Sequence, residues 1–227
     1  MVFVPPFAPF VVLAFLALGG VLAVTALALI GAAVFRKTRT IPWILGVGLV
    51  VVVGYAGVLL ADSAVSRERI LVPGEKKYFC EIDCHLAYSV ESVETAPTVG
   101  PPLQPLRARG RWHVVRLRTW FDPSTISPSR GDAPLTPNPR VAYVRDRYGK
   151  RYEPSWPAEQ ALAAAGRPST ALTTPLRPGQ SYETLLAFDL PADAREARLY
   201  LGDDDAVSFL LIGHEASPFH RKVWFRI

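Results

Sequence analysis

The chain has 227 residues, 50% of them hydrophobic, and carries a formal net charge of +5 at pH 7. Residues 1–62 hold only four charged side chains, whereas the remaining 165 residues have the mixed composition of a soluble domain. The basic residues are scattered along the chain instead of clustered, which argues against nucleic acid as a partner. The composition therefore predicts a membrane segment followed by one folded domain that is long enough to bury its own core.

Two uncharged stretches predict a transmembrane helical hairpin within residues 1–66. Residues 8–35 and 41–61 hold no charge across 28 and 21 positions, and about 20 apolar residues span the hydrocarbon core as a helix. The residues between them include Arg36, Lys37 and Arg39, which we expect in a tight turn. The first stretch lacks a basic start and is too long for a signal-peptide core, so we expect both helices to be retained.

The basic residues near the helix ends predict the orientation of this hairpin. No Lys or Arg precedes the first helix and three lie in the turn, which predicts a cytoplasmic turn with both termini outside. Four basic residues after the second helix favour the opposite orientation: Arg67, Arg69, Lys76 and Lys77. Because the first helix usually sets the orientation, we expect a multi-pass protein of the bacterial inner membrane with its C-terminal domain in the periplasm.

Four small residues share one face of the second helix and form a candidate helix-packing site: Gly46, Gly54, Gly57 and Ala61. Small side chains let another helix approach closely within a bilayer. Two partners fit this face. One is the first helix, through Gly20, Ala23 and Gly31, and the other is a neighbouring membrane subunit.

After a linker over residues 67–76, residues 77–227 are typical of an all-β domain. Aromatic and β-branched runs bounded by turn residues predict short strands at 112–121, 140–145, 151–152, 181–190, 197–201, 207–212 and 222–227. Residues 158–165 predict one short helix, and the Pro-rich stretch 124–139 predicts a long loop suited to contacting a partner. Strands at this spacing predict a β-sandwich.

Two motifs in this domain carry a resemblance to a known family. The first is Asp146-x-x-Gly149-x-x-Tyr152, and the second runs from Leu176, Pro178 and Gly179 to Phe188 and Pro191. Over residues 112–201 the chain resembles the telokin-like, immunoglobulin-like domains of bacterial envelope proteins. The resemblance implies an immunoglobulin-like sandwich and an envelope location, and it implies no catalytic activity.

The layout of a helical hairpin followed by an exported sandwich is also similar to subunit II of cytochrome oxidases. That subunit binds a dinuclear copper centre through a C-x3-C-x3-H-x2-M motif. Cys80 and Cys84 have the first spacing, but Tyr88 and Glu91 stand where the histidine and methionine are required. The resemblance therefore extends to the architecture and not to the copper centre.

The chain's two cysteines leave three alternatives open. Cys80, Cys84 and His85 could join His214 and His220 in a site for Cu or Zn, which thiolate and imidazole ligands suit. Alternatively, Cys80 and Cys84 form a local disulfide, which requires a turn at residues 81–83 because an extended strand would hold the two residues too far apart. Two buried free thiols are the third possibility.

No nucleophile, phosphate-binding or metalloprotease motif stands out in the sequence, so we do not expect an enzyme. The leading functional expectation is a non-catalytic accessory subunit of a larger membrane complex. Its hairpin would contact other integral membrane subunits and the lipid bilayer, its periplasmic sandwich would dock on partners, and it would need no cofactor. A respiratory or photosynthetic complex is the expected host. The alternative is a periplasm-facing protein that binds Cu or Zn or transfers electrons through Cys80, Cys84 and the histidines.

Overall fold

The structure is a computed structural model, and it describes residues 2–3, 8–79, 85–203 and 206–227. The described chain divides into two compact units. A helical unit contains residues 8–67 and 206–221, and a β unit contains residues 2–3, 68–203 and 222–227. Thus a segment near the C-terminus belongs with the helices, a division that the sequence did not predict.

Two long helices dominate the helical unit. Helix α1 spans Ala8–Val34, and helix α2 spans Ile41–Val65, four residues beyond its expected end. A single 3-10 turn, Thr38–Thr40, joins them. Both helices are long and apolar enough to cross a membrane by length and composition, with mean hydropathies of 2.6 and 2.5. Most of their apolar side chains lie exposed, which is the pattern expected of helices that face lipid.

The two helices meet at a glycine of α2 that the sequence did not single out. A Cβ added at Gly48 would lie 3.1 Å from Cγ2 of Thr25. Ala32 on α1 and Leu59 on α2 are the buried apolar side chains of this unit within the described residues. The close approach at Gly48 therefore fixes which face of α2 turns toward α1.

In the β unit, ten strands form two five-stranded sheets among the described residues. In chain order they are β1 (Val2–Phe3), β2 (Arg69–Leu71), β3 (Lys76–Phe79), β4 (Leu86–Val99), β5 (Leu106–Phe121), β6 (Arg140–Arg145), β7 (Arg151–Tyr152), β8 (Ser181–Leu190), β9 (Arg198–Asp203) and β10 (Val223–Arg226). The first sheet has the order β1-β3-β4-β5-β8 and the second the order β2-β10-β9-β6-β7. Two pairings are parallel, β1 with β3 and β10 with β2, and the others are antiparallel.

Alternating side chains of both sheets build one apolar core between them. Leu117, Phe121 and Phe188 contribute to this core from the first sheet, and Leu199 and Phe225 contribute from the second. Each of these five side chains is fully buried. The period-2 pattern of strand sequences thus produces a two-sheet β domain, as expected.

A short helix covers the outer face of the first sheet. Helix α3 spans Trp156–Ala164, close to the expected 158–165, and Ser155 caps it by accepting a hydrogen bond from the backbone N–H of Ala158. Its Ala158 and Leu162 pack on Trp112 of β5. Strand β5 therefore has buried side chains on both faces of the sheet. Val115 and Leu117 lie in the core between the sheets, and Trp112 and Val114 lie under α3.

The expected strands at 140–145, 151–152 and 181–190 are confirmed residue for residue, and those at 112–121, 197–201 and 222–227 are confirmed with shifted ends. Strands β2, β3 and β4 were not expected. Strand β4 is polar over much of its length and contains Pro97, which stands where the ladder to β5 shifts register. A strand with polar composition and a proline lacks the apolar alternation by which strands are predicted from sequence.

The strand expected at 207–212 is wrong. Residues 208–210 form a 3-10 turn, in which the Leu210 N–H donates to the Val207 carbonyl at 2.9 Å. The apolar composition of this stretch is typical of a strand. However, no strand pairs with it among the described residues, and the stretch belongs to the helical unit. A short apolar run does not distinguish these cases by periodicity.

Candidate functional site

The two faces of α2 differ in what covers them. The face through Gly48, Tyr55 and Leu59 is at least partly buried within the helical unit. The roughly opposite face carries the four small residues predicted to pack on a helix, and all four are exposed: Gly46, Gly54, Gly57 and Ala61. No described atom lies within 4 Å of a Cβ built at Gly46, Gly54 or Gly57.

Consequently α1 does not cover the small-residue face of α2 within the described part of the chain. The α1 glycines proposed as its partners, Gly20 and Gly31, also have no described neighbour within 4 Å of an added Cβ. Of the two partners considered for this face, a neighbouring helix of another subunit is the one still to be tested. Helix packing at these residues therefore stays a prediction.

The cysteine alternatives cannot be compared directly, because Cys80 and Cys84 lie outside the described residues. His85 immediately precedes β4 in the β unit, and His214 and His220 belong to the helical unit. The described residues bring together no group of three or more potential metal ligands. The metal site and the disulfide both stay predictions.

Local hydrogen bonds determine whether Nδ1 of each candidate histidine carries a proton. His85 Nδ1 lies 2.8 Å from the Thr125 hydroxyl, whose own proton is directed at the Asp122 carbonyl at 2.8 Å. His85 Nδ1 must therefore donate, so Nε2 carries the lone pair in the neutral ring. Nδ1 of His220 also carries a proton, because it lies 2.8 Å from the Arg221 carbonyl, which can only accept.

His214 has the opposite arrangement. Its Nδ1 accepts a hydrogen bond from the Ala216 N–H at 3.1 Å, so in the neutral ring the proton is on Nε2. His214 could ligate a metal through Nε2 only after changing tautomer and losing this contact.

A buried carboxylate, Asp122, lies beside His85, whose carbonyl accepts a hydrogen bond from the Asp122 N–H at 2.8 Å. Asp122 accepts hydrogen bonds from the Tyr78 hydroxyl at 2.5 Å, from the Ser124 hydroxyl at 2.7 Å and from the Ser124 N–H at 2.9 Å. Burial alone would raise the pKa of Asp122, but the hydrogen bonds from Tyr78 and Ser124 outweigh it and lower the pKa. Burial and the neighbouring carboxylate raise the pKa of Tyr78.

The bonding pattern around Asp122 is that of a loop cap. Ser124 directs its hydroxyl proton to Asp122, and His85 contacts Thr125 instead of Ser124. Although His85, Asp122 and Ser124 are residue types found in hydrolases, their contacts hold a loop, and the His85 imidazole does not contact the Ser124 hydroxyl. The arrangement fixes the start of the Pro-rich loop.

A second polar cluster lies inside the domain, and sequence reasoning missed it. Arg140 on β6 forms an ion pair with Asp203 on β9, and their side chains are 2% and 10% exposed. The Arg140 guanidinium also stacks 4.0 Å from the centroid of the Phe79 ring. Lys77, 2% exposed, reaches from β3 to donate to the Leu201 carbonyl on β9 at 2.5 Å.

A signal for Arg140 was present in the sequence. Within the run RVAYVR, Arg140 shares its strand face with Ala142 and Val144, which are core residues. Strand alternation therefore places the guanidinium inside the domain. Buried charges of this kind are paired and connect the two sheets.

The first of the two motifs on which the predicted resemblance rests has a structural role. Asp146 accepts from the N–H groups of Tyr148 and Lys150, both at 2.9 Å, and from the Tyr152 hydroxyl at 3.0 Å. Gly149 has φ +85°, a conformation that favours glycine. Burial and the Asp146 carboxylate raise the pKa of Tyr152 to about 12. The motif builds the β6–β7 hairpin.

The Pro-rich loop is attached to the domain at two places. Leu135 exchanges backbone hydrogen bonds with Leu176 at 2.9 and 3.0 Å, and Arg177 contacts the Asp132 carboxylate at 3.0 Å. Most polar side chains of the loop are exposed. The loop is thus a fixed, polar surface element.

A shallow polar depression on the β unit is lined by residues of mixed charge: Glu68, Arg145, Asp146, Arg147, Gly149, Glu196, Arg198 and Trp224. Its three arginines are matched by three carboxylates, and Arg198 pairs with both Glu68 and Glu196. The depression consequently has no excess charge that would favour an ionic ligand of either sign.

Comparison with known proteins does not place the chain in a family. No protein-family model matches it, and no curated protein matches it. Similar solved structures include MPT63, a secreted protein from Mycobacterium tuberculosis, at 14% identity over 73% of this chain and 100% of that one, with a TM-score of 0.42. The yjhA protein from Bacillus subtilis follows at 12% identity, 69% and 98% coverage and a TM-score of 0.41. A conserved hypothetical protein from Bacillus anthracis has 14% identity, 52% and 80% coverage and a TM-score of 0.40.

Proposed function

We propose that this protein is a non-catalytic subunit of a larger complex in a bacterial inner membrane. In this proposal α1 and α2 cross the bilayer as a hairpin, and the immunoglobulin-like sandwich lies in the periplasm and docks on partner subunits. A respiratory or photosynthetic complex is the proposed host, by analogy with the layout of oxidase subunit II.

The pairing of the chain's first residues with β3 supports the hairpin. Val2 and Phe3 pair in parallel with Lys76 and Lys77, so residues before α1 and residues after α2 belong to one sheet. Helices that leave and re-enter the same folded domain must cross a bilayer an even number of times. Two crossings fit the two helices long enough to span.

The observation that carries the proposal is the uneven covering of α2. One face is occupied by α1 and by the residue 206–221 segment, whereas Gly46, Gly54 and Gly57 lie open on the other. In lipid, helices associate by close backbone approach at small residues, since lipid tails are as apolar as leucine. An open small-residue face on a two-helix anchor supports a further helix, supplied by a partner, as its occupant.

The proposal is tested by adding volume to this face. Membranes that contain the tagged chain are solubilised in mild detergent, and complexes are separated by native electrophoresis. We expect the unsubstituted chain to migrate with partner subunits and Gly57→Leu to migrate mostly alone. Overpacking a helix contact costs about 1–3 kcal/mol, which weakens association roughly ten- to a hundredfold. The substitution raises helix propensity, so it does not weaken α2 itself.

Ala56→Leu is the matched control, because Ala56 is exposed on α2 outside the small-residue face. It adds a similar volume one residue away and should leave the complex intact. Migration of the unsubstituted chain as a lone monomer would contradict the proposal, as would equal loss of the complex in both variants.

A further inference from the structure

The segment Ala206–Arg221, here called the β9–β10 segment, connects two strands of the β unit yet belongs to the helical unit. Its first seven residues, AVSFLLI, hold no charge, and the next nine, GHEASPFHR, are mostly polar. Large apolar side chains of the segment are exposed: Val207 at 49%, Phe209 at 54%, Leu210 at 52% and Phe219 at 84%. Three of these four side chains lie within the uncharged stretch, and exposed apolar side chains close together are typical of a surface that contacts lipid or another molecule.

The β9–β10 segment contacts α2 at three successive positions, Ser66, Asp62 and Tyr55. Its last residue, Arg221, donates its backbone N–H to the Ser66 hydroxyl at 2.8 Å, just beyond the end of the helix. Next, His220 Nε2 lies 3.9 Å from the Asp62 carboxylate. Further into the helix, the Tyr55 hydroxyl donates to the Leu210 carbonyl at 2.7 Å. The polar half of the segment is therefore held at the end of α2, and the apolar half is held deeper.

The position of Tyr55 along α2 gives the depth of this contact. The charged residues Arg39 and Asp62 are 23 residues apart, about 34 Å along a helix, close to the thickness of a bilayer's hydrocarbon core at about 30 Å. Tyr55 is seven residues from Asp62, so it lies about 10 Å inside that boundary. A residue that touches Tyr55 is level with hydrocarbon when α2 spans the membrane.

Several backbone carbonyls of the segment have hydrogen-bond partners, which matters in hydrocarbon because unpaired polar groups are costly there. Turn bonds satisfy the carbonyls of Val207, Ser208 and Leu211, and the hydroxyl of Ser217 also donates to the Leu211 carbonyl. The Leu210 carbonyl is satisfied by Tyr55. The Tyr55 hydroxyl, within an apolar helix, thus serves as the hydrogen-bond donor for a backbone carbonyl of the β9–β10 segment.

We propose that the β9–β10 segment inserts into the periplasmic half of the bilayer beside α2 and places Phe209 and Leu210 among the lipid tails. The ligand of this surface is phospholipid, whose acyl chains cover the apolar half while the headgroup region takes the polar half. The inference rests on the proposed transmembrane hairpin. It adds a third membrane contact to those of α1 and α2.

The test measures the surroundings of a spin label. The full chain, with Cys80 and Cys84 replaced by serine and a single cysteine introduced, is purified and reconstituted into phosphatidylcholine–phosphatidylglycerol vesicles. A nitroxide at Phe209→Cys should be relaxed more by oxygen, which concentrates in lipid, than by a water-soluble nickel chelate. Val50→Cys on α2, 72% exposed, is the lipid reference, and Leu103→Cys on the β unit, 95% exposed, is the aqueous reference.

Each outcome decides the proposal. A label at Phe209 that behaves like Val50 supports insertion. A label that behaves like Leu103 overturns it, and low access to both reagents overturns it in favour of protein contact. If the Val50 label itself is accessible to nickel, the hairpin proposal fails, which separates the two proposals.

A second measurement keeps the natural cysteines, in case the serine variants do not fold. Phe209 is replaced by a photoreactive benzophenone amino acid in the otherwise unsubstituted chain, in the same vesicles. Irradiation should crosslink it to phospholipid, while the same amino acid at Leu103 should give no lipid adduct. Equal lipid adducts at the two positions, or none at Phe209, would overturn the insertion.

Discussion

At the scale of single residues, Asp122 connects loop structure to pH. Its three hydrogen bonds favour the ionised form, so its pKa in the folded state lies below the unfolded value near 4. A carboxyl group whose folded pKa is depressed stabilises the fold above its unfolded pKa. This contribution is lost as the pH falls from about 4 through the folded-state pKa.

We therefore predict that Asp122→Asn lowers the free energy of unfolding by about 1–3 kcal/mol at pH 7, because charged hydrogen bonds are lost. The difference from the unsubstituted chain should shrink at pH 3. Thermal unfolding of the full chain in detergent, followed by circular dichroism at both pH values, measures this. Asp132→Asn is the control, since that side chain is 74% exposed. A gap of equal size at pH 7 and pH 3 would be inconsistent with the role assigned to Asp122.

Residue-level prediction from sequence succeeded where local geometry decides the residue. Asp146, Gly149 and Tyr152 were expected in a hairpin and form one, because a tight turn needs a backbone acceptor and a positive φ. The Arg140–Asp203 pair was missed because it depends on which strands become neighbours. The state of Cys80 and Cys84 likewise depends on the conformation of residues 81–83, which composition does not determine.

At the scale of secondary-structure elements, the two faces of α2 differ in what covers them. Gly48 lies against Thr25 of α1, whereas Gly46, two residues earlier, has no described neighbour within 4 Å of an added Cβ. Gly46 and Gly48 are two residues apart on the same helix and face different sides. Substituting each in turn therefore compares the covered face of α2 with the open one.

We predict that Gly48→Leu separates α1 from α2 and destabilises the hairpin by about 1–3 kcal/mol, the usual range for overpacking. Gly46→Leu should leave the hairpin intact. Purified variants can be compared by their resistance to unfolding in increasing dodecyl sulfate, followed by circular dichroism. If both substitutions weaken the hairpin equally, the assignment of the two faces is wrong.

Helix ends and several strands were predicted well because strong patterns dictate them. Charge-free runs fixed α1 and α2 to within a few residues, and a Pro-Gly turn placed the start of β8. The stretch at 207–212 failed for the opposite reason. Its apolar residues fit either a strand or a turn, and the structure shows a 3-10 turn at 208–210 that contacts Tyr55 of α2.

At the scale of the whole molecule, the chain combines two apolar helices with a two-sheet β unit, as the composition predicted. What the composition could not predict is how the chain is shared between the two units. Residues 2–3 join the β unit, and residues 206–221 join the helical unit. Both exchanges depend on pairings between residues far apart in sequence, which periodicity does not report.

The account depends most on the hairpin crossing the membrane with the β unit outside. Leu103→Cys on the β unit and Thr38→Cys in the turn between the helices are both exposed positions that a thiol reagent can reach. The reagent is a membrane-impermeant maleimide added to intact spheroplasts, and the unsubstituted chain gives the background from Cys80 and Cys84. We predict labelling of Leu103→Cys at once and of Thr38→Cys only after lysis. Labelling of Thr38→Cys in intact spheroplasts, or protection of Leu103→Cys until lysis, would contradict the account.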